Sequence, residues 1–567
     1  MENLNGDKNT AVPMITKDVE KVSTPAPGVG KVLIREDTVL TVPGCTSCGR
    51  GQFTCSGVQK QWSALCWGQQ SDKKYYTLLV VLSTTFVLSL IGTIFSCFTN
   101  TINDAILSNM IIRNNSMAFS LWEHPTVEPL MKVYLFNYTN WERVRDGDEK
   151  KLHVEEVGPY VYSQELDRVN VEFDGDQLSF QELNNFRYIP EKTNGAYYDQ
   201  VFVPNLPLLG VVSMSVGMNL SPFAQMSLNS AFDWANHPDP FAKLPVHRFL
   251  WGYDDSIINI AIPFLSFINQ WKFKEFGLLA GKNRTLSDRY TINTGEKNID
   301  RMNIIEKFDG RDHLTYWGSP ECNSLEATDG SIFPPSQLDK NKTLYVFYPQ
   351  LCRRLPFRFE KEVETYGVKL LRYKMPVNVF DDAKHNPANQ CYCEIDTATC
   401  PPKGVINVTD CTMGAPALVS FPHFNLGDPF LLDRISGLHP DPLKHISYLD
   451  IHPTLGIALK GKSSLQLNIQ VRKTNYFSNL HFLDQGLILP IAWIEMGVDE
   501  LPESLQALVY HGTFSTAAAQ LGLSVICILT LIISSLCLCL TIVGRRKKPC
   551  VTLKKTPAEI TKNQDSS

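Results

Sequence analysis

Three sets of side chains in this chain could do chemistry. Six cysteines, Cys322, Cys352, Cys391, Cys393, Cys400 and Cys411, fall close together in the second half. In an oxidising compartment an even set of this kind forms disulfides, with fifteen pairings formally open. Four histidines follow: His423 in SFPHF, His439 in GLHP, then His445 and His452 seven residues apart. Imidazoles ligate metals and move protons, but no ligand or nucleophile spacing accompanies these, and they read as structural. The acidic pairs Asp254-Asp255 and Asp381-Asp382 read as solvated turns. No G-x-S-x-G, H-E-x-x-H, P-loop or Rossmann glycine pattern occurs. The chain therefore reads as a non-enzyme that needs no cofactor or metal. The third set is six N-x-S/T triplets, beginning at Asn114, Asn137, Asn219, Asn283, Asn341 and Asn407, which are glycan acceptors only on a secretory-pathway surface.

The elements that must position these groups begin with two uncharged apolar runs, Tyr76–Phe98 and Ala517–Val543. Each exceeds the roughly 20 residues that cross a hydrocarbon core of about 30 Å. Lys73 and Lys74 precede the first run, and Arg545, Arg546, Lys547 and Lys548 follow the second. The positive-inside bias puts both flanks in the cytosol and the middle outside or in a lumen. The first run reads as an uncleaved signal anchor. The chain then divides into a tail over residues 1–75, a span at 76–98, a glycosylated ectodomain over 99–516, a span at 517–543 and a tail over 544–567. The first tail is polar, rich in Pro and Gly and without periodicity, which reads as disorder. Its Cys45, Cys48, Cys55 and Cys66 begin as C-x-x-C, but the later spacing matches no common zinc module. Cys66 and Cys550 sit beside the membrane, the position at which cysteines are reversibly palmitoylated. With 53 basic against 58 acidic residues, the net charge of -5 argues against a nucleic-acid partner.

Strand signals dominate the middle. Leu465, Leu467, Ile469 and Val471 alternate with polar residues, as in a strand with one buried face. Lys132–Tyr138 and Leu344–Tyr348 are aromatic and β-branched runs bounded by turn formers. Ser221-Pro222 opens a helix whose Ala224, Leu228, Ala231 and Ala235 share one face, while Phe223, Met226 and Trp234 project elsewhere. No internal repeat or alternating βα pattern is present, so the expectation is an antiparallel sheet or barrel with helical insertions. Two spans around a cysteine-rich ectodomain also describe trimeric ligand-gated channels, with Ser83, Thr84, Thr85 and Ser89 as candidate pore hydroxyls. Ala518 and Gly522 have a small-residue spacing that can bring helices together.

Several blocks resemble the class B scavenger receptor family. They are VYLFNYTN (Val133 to Asn140), EEVGPYVY (Glu155 to Tyr162), VFVPN (Val201 to Asn205), LWGYDD (Leu250 to Asp255), TINTGEKNI around Gly295, and CNSLEATDGSIFPP (Cys322 to Pro335). Cys352-Arg353, Cys391-Tyr392-Cys393, Cys400-Pro401, SFPHF, GLHP, HISYLDIHPTLG (His445 to Gly456) and LQLNIQ continue in matching order. The resemblance implies a membrane protein of α+β class. Two transmembrane helices would flank a large antiparallel β-barrel-like ectodomain with a helical cap and an internal lipid tunnel. It also implies the disulfides Cys322–Cys391, Cys352–Cys411 and Cys393–Cys400. The implied partners are fatty acids, sterols or phospholipids, and lipoprotein-like particles, with a homo-oligomer also open. The plasma membrane is the expected location, with the lysosomal membrane as alternative. A lysosomal cargo receptor or lipid exporter is the variant reading within the family. The cap should include Asn219 to Arg248. Where the fatty-acid translocase carries a lysine-rich patch, this chain has FDWANHPDPFAK (Phe232 to Lys243), so its ligand contacts should be apolar, through Phe223, Met226, Phe232 and Trp234. Ala327 stands where relatives often have glycine.

Overall fold

A computed structural model describes residues 72–99, 101–234, 238–260, 275–392, 400–412 and 414–546. Cys45, Cys48, Cys55, Cys66, Ala235, Cys393 and Cys550 lie outside the described residues. The first described element is the helix Asp72–Phe98.

Two helices among the described residues are long and apolar enough to cross a membrane, and they flank a sheet-rich region. The second, Thr516–Arg546, continues from Glu503–Tyr510 through one π-helical turn, His511–Ser515. A hydroxyl in hydrocarbon needs a partner, and these find one on their own helix. Ser89 Oγ donates to the Phe86 carbonyl (3.0 Å), Thr93 Oγ1 to Ser89 (2.8 Å) and Thr530 Oγ1 to Ile526 (2.7 Å). The small residue that brings the two helices together is Gly92, where a Cβ would lie 2.8 Å from Cys527 Sγ. Gly522 has nothing within 4 Å of the equivalent position, so the Ala518/Gly522 spacing makes no close approach.

Among the described residues, fourteen strands form one sheet. Its neighbours run Ile305–Phe308, Tyr290–Asn293, Gln177–Tyr188, Leu152–Asp174, Leu130–Tyr138, Ile488–Val498, Ala458–Gln470, Tyr448–Ile451, Val368–Lys374, Arg353–Thr365 and Thr343–Tyr348. Each pair along this path is antiparallel. An open edge at each end would leave a row of unpaired backbone groups, and two residues remove part of it. Ile305 N donates to the Ala327 carbonyl (2.9 Å), Thr328 N to Tyr345 O (3.1 Å) and Phe347 N to Thr328 O (2.9 Å). Ala327 and Thr328 thus bridge the two terminal strands, and Phe308 packs on Phe347 across the join with ring centroids 5.1 Å apart. The expected antiparallel barrel-like fold is the one present.

The alternation in Leu465–Val471 is also present, but its environment differs from the expectation. The polar partners Ser464, Gln466 and Asn468 are the fully buried ones, while Leu465 and Leu467 are only half-buried. Period-2 patterning separates two faces of a strand without saying what covers each. Here the polar face is capped by a hydrogen-bonded layer. His423 N donates to Gln466 Oε1 (2.6 Å), Gln466 Nε2 to Asn468 Oδ1 (2.7 Å) and Asn468 Nδ2 to Ser420 Oγ (3.1 Å). The apolar face opens onto a void.

Candidate functional site

That void is a cavity of about 2380 Å³ inside the sheet, more than twice the upper end of the usual range for small-molecule pockets, about 1,000 Å³. Along one wall Ile469, Leu467 and Leu465 follow each other on alternate positions of a single strand. Register places Leu465 opposite Ile494 and Ser463 opposite Met496, with Met131 on Met496's other side; all of these residues line the same space. From Ile469 to Ser463 this wall runs about 20 Å at about 3.3 Å per residue. At the Met496 end the strand leads within a few residues to the helix Glu503–Tyr510 and so to the second membrane helix. His452 connects the same regions: its Nδ1 accepts from Leu455 N (3.1 Å) and its Nε2 meets Thr513 Oγ1 (2.9 Å) in the π-helical turn.

Cap elements supply other parts of the lining. The helix Leu206–Gly217 is capped by Asn205, whose Oδ1 accepts from Leu208 N (3.2 Å), and carries Pro207 in its first turn. Leu208, Leu209 and Val212 pack into the protein core. Pro207, Gly210, Val211 and Met214, at helical spacing on another face, line the cavity. This explains a helix that is apolar all round. Sequence reasoning missed it; the Asn-Leu-Pro start ahead of an uninterrupted apolar stretch was the available signal.

The helix Pro222–Trp234 buries Gln225 and Phe232, and Leu228 from the Ala224/Leu228/Ala231 face packs against the core beside them. Phe232 is 1% exposed and packs against Phe477, with ring centroids 6.1 Å apart. Phe223 and Trp234 stand out, 78% and 91% exposed, with Met226 exposed on the same side. Of the four apolar cap residues, three therefore present a surface and Phe232 anchors it.

Disulfides join Cys322 to Cys391 and Cys352 to Cys411, with Cα separations of 6.0 and 5.9 Å. Cys391 and Cys411 both line the cavity, so these bonds tether the loops that wall it. Their sequence separations of 69 and 59 residues correspond to about 4 kcal/mol each of lost unfolded-chain entropy. Cys400 is also disulfide-bonded. Among the sequons, Asn114, Asn219 and Asn341 are exposed. Asn137, Asn283 and Asn407 are half-buried, with their Oδ1 atoms accepting from Phe202 N, Phe186 N and Thr409 N at 2.8, 2.9 and 2.9 Å.

The histidines converge in part. His423 Nε2 donates to Glu156 Oε2 (2.5 Å) while its Nδ1 accepts from His439 N (3.0 Å). His445 stacks on His423 with centroids 4.8 Å apart, and its Nδ1 accepts from Asp441 N (3.0 Å). Trp493 Nε1 adds a second donor to Glu156 (2.7 Å), and Lys444 lies 3.4 Å from the other carboxylate oxygen. Burial pushes the Glu156 carboxyl up, but its His423 and Trp493 hydrogen bonds and the charges of His423 and Lys444 hold it at about 2. No nucleophile stands beside this pair, and no metal-holding group of three His, Cys, Asp or Glu occurs among the described residues. The cluster braces the strand behind the cavity wall.

Among the described residues, two helices long and apolar enough to cross a membrane thus flank a β-rich region that surrounds a mostly apolar cavity. The model of the CD36 family matches residues 80–543. Scavenger receptor class B member 1 of Bos taurus is 32% identical over 397 residues, covering 70% of this chain and 75% of that protein. Lysosome membrane protein 2 of Mus musculus is 30% identical over 425 residues, covering 74% and 85%. The chain belongs to the CD36 family of two-span scavenger receptor-like membrane proteins, which are receptors and not enzymes.

Proposed function

We propose that this protein binds lipids or lipid-bearing particles at the Phe223–Met226–Trp234 surface and passes lipid through the cavity to or from the bilayer. One observation carries the reading: a mostly apolar space lined at once by cap helix Leu206–Gly217 and by the strand ends that lead to the second membrane helix. Each methylene exposed to water costs about 0.8 kcal/mol, so a covered path removes most of the barrier to moving an acyl chain. No covalent step or nucleotide is required; gradients or capture by an acceptor set direction. The plasma membrane is the proposed site of action. The likeness to a relative named for the lysosome membrane makes that compartment the second reading. The ligand-gated channel reading is weakened by membrane-helix hydroxyls that bond within their own helix.

Full-length protein purified in mild detergent should yield bound lipid on organic extraction and mass spectrometry. Cells expressing it should take up fluorescent fatty acid or sterol ester without a ligand-gated current. Lipid-free protein, or a current without uptake, would sink the reading.

A further inference from the structure

The cavity carries a polar station that the lipid reading does not by itself require. Glu182, Asn184 and Phe186 occupy alternate positions of the strand Gln177–Tyr188 and all face the cavity. Gln164, on the neighbouring strand, also faces it and donates from Nε2 to Asn184 Oδ1 (2.5 Å). Facing the same space is Lys282, carried by a segment that docks along this strand: Arg284 N donates to Asn184 O (2.7 Å) and Ser287 N to Glu182 O (2.9 Å). The Lys282 ammonium forms no ion pair among the described residues. Phe186, Leu278, Leu279 and Met214 are among the apolar residues that line the same cavity.

Lys282 is exposed to the cavity space rather than packed away, so its ammonium is accessible to an anionic group that enters alongside an apolar chain. Burial lowers the Lys282 pKa, opposed by the charges of Asp288 and Glu182. Burial raises that of Glu182, opposed by Arg168 and Lys282. Lys282, exposed to this space, is closed off by no ion pair among the described residues and feels the charges of Glu182 and Asp288, while burial disfavours the charged form of Glu182. Both complement a carboxylate that arrives on an acyl chain, and the apolar lining takes the chain. A neutral ester offers Lys282 a carbonyl acceptor but no charge, and charge-assisted hydrogen bonds are the stronger ones.

Building on the lipid-conduit reading, we infer that Lys282, with Glu182, Asn184 and Gln164 beside it, is a headgroup site inside the cavity that selects lipids ending in a carboxylate over neutral lipids. The test uses full-length protein in nanodiscs, with oleate and cholesteryl oleate as probes. Lys282→Met should weaken oleate binding at least about tenfold, the factor that about 1.4 kcal/mol produces, and leave cholesteryl oleate binding unchanged. Lys282→Arg should restore most of the loss. Unchanged cholesteryl oleate binding also reports an intact cavity in the variant. If Lys282→Met binds oleate as tightly as the parent, or loses both probes equally, the headgroup site is overturned while the conduit stands. A parent protein that binds neither probe overturns both.

Discussion

Acidification tests the histidine cluster most sharply. His445 is 1% exposed, lies against the His423 ring and next to Lys444, and uses its Nδ1 to accept from Asp441 N. Glu156, Asp441, Trp493 and Tyr134 complete the charged and aromatic groups around it. Protonation would put a hydrogen on Nδ1, break that bond and add a positive charge beside Lys444. Burial, then the charges of His423 and Lys444, bring its pKa from 6.5 to about 4, against the pull of Glu156 and Asp441. Because the folded value lies below the unfolded one, the unfolded chain binds the extra proton first as pH falls. The contribution is complete above about 6.5, drains away between 6.5 and about 4, and changes no further below. At about 1.4 kcal/mol per unit the total is about 3 kcal/mol. Denaturant unfolding of the full-length protein in detergent, followed by tryptophan fluorescence across that pH range, measures it. His445→Asn keeps an acceptor for Asp441 N but cannot titrate. It should lose about 3 kcal/mol less than the parent between the two pH values. Parallel pH profiles for the two proteins, or a parent that gains stability on acidification, would refute the argument. The Glu156 carboxylate adds a separate loss at lower pH, from about 4.5 down to about 2.

Three further outcomes are expected. Trp234→Ser should leave stability within about 0.5 kcal/mol yet reduce lipoprotein-particle capture in a cell-binding assay, whereas Phe232→Ala should cost about 3–5 kcal/mol in denaturant unfolding through the cavity it leaves. Leu467→Trp places an indole into open space instead of packed core, so stability should change by under about 1.5 kcal/mol while fluorescent-lipid uptake falls several-fold. Arg372 grips the fully buried Asp450 with two hydrogen bonds of 2.7 Å. Arg372→Met should therefore cost about 3 kcal/mol or more, and a second change, Asp450→Asn, should recover part of it, as read by thermal unfolding.

Much of this architecture was legible in one dimension because it rests on local rules. Two uncharged runs with basic outer flanks marked the membrane helices, since charge in hydrocarbon is costly whatever the tertiary fold. Aromatic and β-branched runs bounded by turn formers marked strands at Lys132–Tyr138 and Leu344–Tyr348, and the structure has strands at Leu130–Tyr138 and Thr343–Tyr348. Ser221-Pro222 marked a helix start, and the helix begins at Pro222. Phe232, grouped in sequence with Phe223, Met226 and Trp234, is the one of the four that this helix buries, its ring carrying far more apolar area than the alanines beside it.

Composition, spacing and block order were enough for the two membrane runs, the orientation their charges favour and the family resemblance. Only tertiary structure decided what each strand face meets. Leu465 and Leu467 look like core residues in sequence and instead line a void, because the opposite strands stand too far apart for side chains to fill the space between them. Glu156, His423, His445 and Trp493 come from four distant stretches and meet only because register brings them to one place. Lys282 and Glu182, a hundred positions apart, share the cavity for the same reason. Burial and juxtaposition depend on long-range pairing, and no local pattern encodes them.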